Sequence, residues 1–136
     1  MLVCDICWEI YGGEQSNLET DQLCPKRLCS GRLRDIDELL LPTIRMLNQK
    51  GYTTSYCCSG HFTGGKEEAG YITFTGDITT KMCQNLPKGF RVDPDPPIGV
   101  HLRWEFQEAD ECALHRAILK RSSELLIWAE RLKPRW

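Results

Sequence analysis

The spacing of apolar and polar positions changes character near residue 33. Before it, large aliphatics are sparse: Leu2, Val3, Ile6, Ile10, Leu18, Leu23 and Leu28 follow neither a helical nor a strand period. From Asp35 onward periodicity takes over. Ile36, Leu39, Leu40, Ile44, Met46 and Leu47 recur at helical spacing, behind the acidic opening Asp35-Ile36-Asp37-Glu38 and ahead of Lys50-Gly51. That pattern predicts a helix. Pro42 either kinks this helix or marks a start near Leu41, with the proline at the first helical position.

Four strands follow from alternation and β-branched content: Tyr52 to Cys58, Gly70 to Thr75, Phe90 to Val92, and Ile98 to Phe106. The last is the clearest, with Val100, Leu102, Trp104 and Phe106 on one face and His101, Arg103 and Glu105 on the other. Asp77-Ile78-Thr79-Thr80 can cap a short helix to Leu86, broken by Pro87-Lys88-Gly89, and Asp93-Pro94-Asp95-Pro96-Pro97 predicts a stiff turn or loop. Ala109 to Leu132 is the longest helical pattern, with Leu114, Ile118, Leu125, Ala129 and Leu132 along one stripe.

Composition adds bounds. With 136 residues, 41% hydrophobic and 26% charged, the chain is sized for one domain and a small appendage. A net charge of −2 provides no global basic field, so nucleic-acid contact would need a local patch. Purely aliphatic runs such as Leu39-Leu40-Leu41 reach only three residues, mean hydropathy is −0.38, and Met1-Leu2-Val3-Cys4-Asp5 does not read as a signal sequence. The expectation is a cytoplasmic protein with no membrane partner.

Eight cysteines change the picture most. In a reducing compartment they point to metal rather than disulfides. Cys4 and Cys7 form Cys-x-x-Cys, Cys24 and Cys29 form Cys-x-x-x-x-Cys, and sixteen residues separate the pairs. Two such pairs can converge on one tetrahedral ion, and four thiolates leave no open position, the signature of a structural zinc. A segment with so few aliphatics needs such a staple to fold. The predicted architecture is therefore α+β: a zinc-knuckle or ribbon segment at 1–32, then an α/β sandwich-type domain at 33–136 with about four strands and two main helices. Zn2+ is the expected cofactor. A redox-active Cys-x-x-Cys is the competing reading, but the βαβ context it needs is missing from the pattern.

The second feature is Gly51-Tyr52-Thr53-Thr54-Ser55-Tyr56-Cys57-Cys58-Ser59-Gly60-His61, a strand running into a loop. Gly60 permits positive φ, and such a turn can form an anion-binding nest to which Ser59 and His61 add donors. His101 or Arg103 can reach across from the last strand, which makes Ser59, Gly60, His61, His101 and Arg103 the candidate ligand-binding residues. Alternatively, Cys57, Cys58 and His61 hold a second metal with Cys83, or with Cys112 and His115, which lie on one helical face. The bland alternative is a core cysteine, a turn glycine and a solvated histidine.

Tyr52-Thr53-Thr54-Ser55 with Cys58, Ser59 and Gly60 resembles a motif of the wybutosine-synthesising methylase family, which acts on a modified tRNA guanosine; small bacterial and phage proteins related to that fold are common. His61 stands where the family has arginine, and Cys57 where it usually has serine. The resemblance implies an α/β fold and RNA as a partner. Three functions are thereby expected to compete: a zinc protein that binds RNA or a nucleotide, an adaptor that docks a protein partner through its knuckle, and an RNA methyltransferase-like enzyme. No catalytic residues can be named; no Ser-His-Asp triad, P-loop or dinucleotide signature can be assembled. Residues 110–136 carry six Lys/Arg against four Asp/Glu, a charge that either contacts phosphate or complements a helix C-terminus.

Overall fold

The structure is a computed structural model, and it describes residues 1–12, 17–60, 68–76, 85–95, 99–108 and 110–136. The chain divides into two compact units, Met1–Glu38 and Leu39–Trp136.

The first unit is built on three very short antiparallel strands, β1 (Leu2–Cys4), β2 (Ile10–Tyr11) and β3 (Leu33–Asp35), in the order β2-β1-β3. Leu2 faces Tyr11 on one side and Asp35 on the other. Its core mixes sulfur with carbon: Cys4, Cys24 and Leu33 are buried together, with Leu2, Cys7, Tyr11, Leu18 and Cys29 packed against them, and Val3 and Ile36 are buried as well. A cluster of this size cannot offset the conformational entropy of ordering the segment. Polar ties supplement it. Arg34 pairs with Asp5 at 3.3 Å and also with Asp21, and the N-terminal ammonium pairs with Asp35 at 2.8 Å. Pairing of β3 with β1, and the Ile36 N–H donated to the Met1 carbonyl at 2.8 Å, tie residues 33–36 to this unit.

The second unit is a two-layer α+β fold. Its sheet has the order β4-β5-β7-β6, from β4 (Thr54–Cys58), β5 (Glu68–Phe74), β6 (Phe90–Asp95) and β7 (Gly99–Phe106), all antiparallel. Helices α1 (Leu41–Gln49) and α2 (Glu111–Arg131) pack on each other and on one sheet face. That face supplies Ile72, Phe74, Val100, Leu102, Trp104 and Phe106, all buried, and α2 answers with Leu114, Ile118, Leu125, Trp128 and Ala129. Gly70 sits opposite Trp104, and a Cβ there would lie 2.0 Å from the indole, so only glycine lets the large ring cover the strand. This is the α+β architecture expected, with four strands and two main helices among the described residues of the larger unit.

Three sequence expectations are corrected locally. The acidic stretch at Asp35 does not open α1: Asp35 ends β3, and α1 begins at Leu41 with Pro42 in its first turn, where a missing N–H leaves no hydrogen bond unmade. No side chain caps that helix. The stiff turn from Asp93 is instead the continuation of β6 to Asp95, which Pro94 tolerates because β6 is an edge strand. Helix α2 starts at Glu111 rather than Ala109, since the Asp110 carboxylate accepts the Ala113 N–H at 2.8 Å and fixes the end. The short helix expected from Asp77 falls largely on residues 77–84, outside the described residues. No helix among the described residues is long and apolar enough to cross a membrane.

Candidate metal centre

Cys4 ends β1, Cys7 closes the turn that follows, and Cys24 and Cys29 come from the loop between β2 and β3. Pairing of β1 with β3 brings the two loops together: Arg32 N–H donates to the Asp5 carboxylate at 2.8 Å and Cys24 N–H to the Gly31 carbonyl at 2.8 Å. The result is one cluster in which all four Sγ atoms lie within 4.8 Å of one another. Cys4 Sγ is 3.6 Å from Cys29 Sγ, and Cys7 Sγ is 3.8 Å from Cys24 Sγ.

Those separations decide between chemistries. A disulfide needs about 2.0 Å between sulfurs, and none of the seven described cysteines forms one. Four sulfurs each about 2.3 Å from a central ion define a tetrahedron with edges of about 3.8 Å. The close pairs match that edge. Four cysteines are therefore placed to hold a single metal ion.

The surrounding backbone fits the same purpose. Backbone N–H groups favour thiolate at the sulfurs: Ile6 donates to Cys4 at 3.4 Å, and the amides of Glu9, Lys26 and Gly31 pull down the proton affinities of Cys7, Cys24 and Cys29. Such donors neutralise thiolate charge and orient the sulfur lone pairs, the outer-shell role expected of a metal site. Cys4 takes a second N–H, from Cys7 at 3.5 Å, and the Tyr11 hydroxyl lies 3.3 Å from Cys24 Sγ. Gly31 is required by space, because a Cβ there would lie 2.3 Å from Cys4 Sγ.

Proton affinities in the cluster diverge. The Glu9 amide pulls Cys7 down, but burial and the neighbouring thiols Cys4, Cys24 and Cys29 outweigh it, pushing Cys7 up to about 11. At Cys24, burial works upward, yet the Tyr11 hydroxyl, the Lys26 amide and the thiols of Cys4 and Cys29 bring it down to about 7. Cys29 is pulled down by the Gly31 amide, and burial with its sulfur neighbours Cys4 and Cys24 leaves it raised. Four crowded sulfurs thus share out negative charge unequally; a divalent cation is what allows all of them to ionise together.

The strand-to-loop segment is arranged differently. Ser59 is buried, and Gly60, at φ +115°, turns its α-carbon toward Phe106 and Ile118 on the helix-covered face. His101 and Arg103 alternate with the buried residues of β7 and project from the other face. His101 Nδ1 lies 2.9 Å from Thr73 Oγ1 there. His61 and Cys83 lie outside the described residues. Cys57 and Cys58 are half-buried while Cys112 is exposed on α2, and among the described residues the N-terminal quartet is the sole group of cysteine, histidine or acidic side chains close enough to share an ion.

What the sequence pattern did not single out is how the sheet face away from the helices is laid out across the strands, exposed at Tyr56 and buried at Thr73. Cys58, Tyr71, Arg103 and Arg91 form one row across the four strands, and Tyr56, Thr73, His101 and Asp93 form the next. Tyr56 is 69% exposed and Tyr71 36%. Arg91 is held by Asp93 at 3.1 Å and Glu105 at 2.9 Å, whereas Arg103 makes no ion pair among the described residues. Burial, with lesser contributions from Cys58 and Cys57, pushes the Tyr71 hydroxyl up, so it stays a neutral donor. The one-residue register shift between Thr54 and Tyr56 puts Tyr56 on this face, a detail that alternation alone could not reveal. No protein-family model, no curated protein and no solved structure matches the chain.

Proposed function

We propose that the N-terminal unit is a structural zinc centre, held by Cys4, Cys7, Cys24 and Cys29, and that the protein is a zinc-stabilised binding module. One observation carries this reading: four sulfurs within 4.8 Å of one another, with the close pairs at 3.6 and 3.8 Å, the edge length of a zinc–thiolate tetrahedron. All-thiolate tetrahedral coordination suits zinc, which supplies cross-linking of the two loops and no redox chemistry. Four protein ligands leave no position for water or substrate, so the metal's role is folding. Native mass spectrometry of the purified protein tests it. One zinc per chain, removed by a strong chelator, is expected; a metal-free chain, or iron in place of zinc, contradicts it.

A second reading concerns the ligand. The sheet face away from the helices favours single-stranded RNA, because Tyr56 and Tyr71, exposed on it, lie near Arg103, which makes no ion pair among the described residues, and together they resemble a stacking platform with a phosphate contact. The resemblance of residues 52–60 to a tRNA-modifying family supports the same ligand class. Fluorescence anisotropy with a labelled single-stranded RNA tests this. Combined Tyr56→Ala and Tyr71→Ala substitution should weaken binding by roughly tenfold or more, on the basis of about 1–3 kcal/mol per stacked base. Equal binding by wild type and variant would place the RNA elsewhere or nowhere.

A further inference from the structure

We propose that a cavity of ≈ 710 Å³ at the C-terminal end of α2 binds a small organic anion with an apolar body. The site lies within the second unit and is independent of the zinc reading. One wall is a single face of α2, on which Glu124, Ile127, Trp128 and Arg131 follow one another at helical spacing. Tyr52 and Leu132 extend the apolar lining, and Lys133 adds a second cation. The volume falls within the range of small-molecule pockets, about 300–1,000 Å³, and the mixture of a mainly apolar wall with few polar groups is the composition such pockets have.

The charge of the ligand follows from how the lining charges are used. Glu124 is engaged by Arg121 at 3.0 Å. Arg131 and Lys133 make no ion pair or side-chain hydrogen bond among the described residues. Basic residues at a helix end ordinarily answer the exposed carbonyls of the last turn. Here that role is taken: Lys50 Nζ donates to the carbonyls of Ala129, Glu130 and Leu132 at 2.8, 2.6 and 2.7 Å, and the Tyr52 hydroxyl donates to that of Lys133 at 2.7 Å. Arg131 and Lys133 are thereby left over at the rim of an apolar cavity. A carboxylate, sulfonate or phosphate carried by an apolar body satisfies both features, with guanidinium and ammonium supplying charge-assisted hydrogen bonds.

Two fluorescent probes sharing one aromatic body test the proposal: anilinonaphthalene sulfonate, which carries the anion, and N-phenylnaphthylamine, which lacks it. The zinc-loaded wild-type protein should bind the sulfonate at least tenfold more tightly than the neutral probe. The double variant Arg131→Gln, Lys133→Gln replaces two exposed side chains and should fold, as circular dichroism would verify. It should lose at least tenfold in sulfonate affinity while holding the neutral probe unchanged. Ile127→Trp, which fills the cavity, should weaken both probes. Failure of wild type to bind the sulfonate, equal affinity for the two probes, or an unchanged sulfonate affinity in either variant would overturn the proposal. None of these outcomes depends on the metal content.

Discussion

Leu28 is 98% exposed and holds φ at +65°, a combination that gains no burial and strains the backbone next to a cysteine of the cluster. Left-handed geometry costs a non-glycine residue about 1–2 kcal/mol, of which glycine's greater freedom in the unfolded chain takes back part. Leu28→Gly should therefore stabilise the metal-loaded protein by about 0.5–1 kcal/mol; a lower denaturation midpoint in urea would show that the leucine is held there by something else. Gly31→Ala has the opposite sign. The added methyl would meet Cys4 Sγ, so the variant should bind zinc at least tenfold more weakly in a competition titration with a chromophoric chelator. At this scale the four cysteines that cluster closely enough to share an ion were legible, because Cys-x-x-Cys spacing is a local property of the chain. Trp8 at φ +60° was not legible, since nothing in its side chain signals left-handed backbone; the knuckle turn imposes it.

Among the elements, the two ends of α2 show how unequal caps can be. Asp110 supplies an ordinary N-cap bond, and Asp110→Ala should lower stability by about 1 kcal/mol in chemical denaturation. Lys50 does more at the other end. One ammonium takes three terminal carbonyls from a residue just beyond α1, linking the ends of both helices. Lys50→Met keeps most of the aliphatic stem and removes the charge, and should cost about 2–3 kcal/mol, the scale of hydrogen bonds to a charged group. A loss below 0.5 kcal/mol, in the range of an exposed surface ion pair, would contradict this role. The strong patterns of β7 and α2 were readable from the sequence because burial imposes their periods. Strands β1, β2 and β3 were not: with two or three residues each, they have no period to read and exist through pairing around the cysteines. The true start of α1 was legible only as one of two alternatives, because Pro42 is compatible with both a kink and a first turn.

For the whole molecule, the contrast lies in what holds each unit. The larger has a conventional core of Trp104, Phe74, Ile72, Leu102, Ile118 and Leu125, all essentially inaccessible to solvent, while the smaller buries only Cys4, Cys24, Leu33, Val3 and Ile36 among its described hydrophobic residues. Metal binding at such a site supplies on the order of 10 kcal/mol, more than a cluster of that size can contribute. Chelation should consequently unfold the first unit and spare the second: amide resonances of residues 1–35 should collapse to the unfolded region while those of α2 keep their dispersion. The cooperative loss of both sets would mean that the units do not fold separately. The central claim, one zinc inside four sulfurs, is tested most directly by X-ray absorption at the zinc edge of the purified protein. The account predicts a single shell of four sulfur neighbours at about 2.3 Å; a shell containing nitrogen or oxygen, or fewer than four sulfurs, would contradict it.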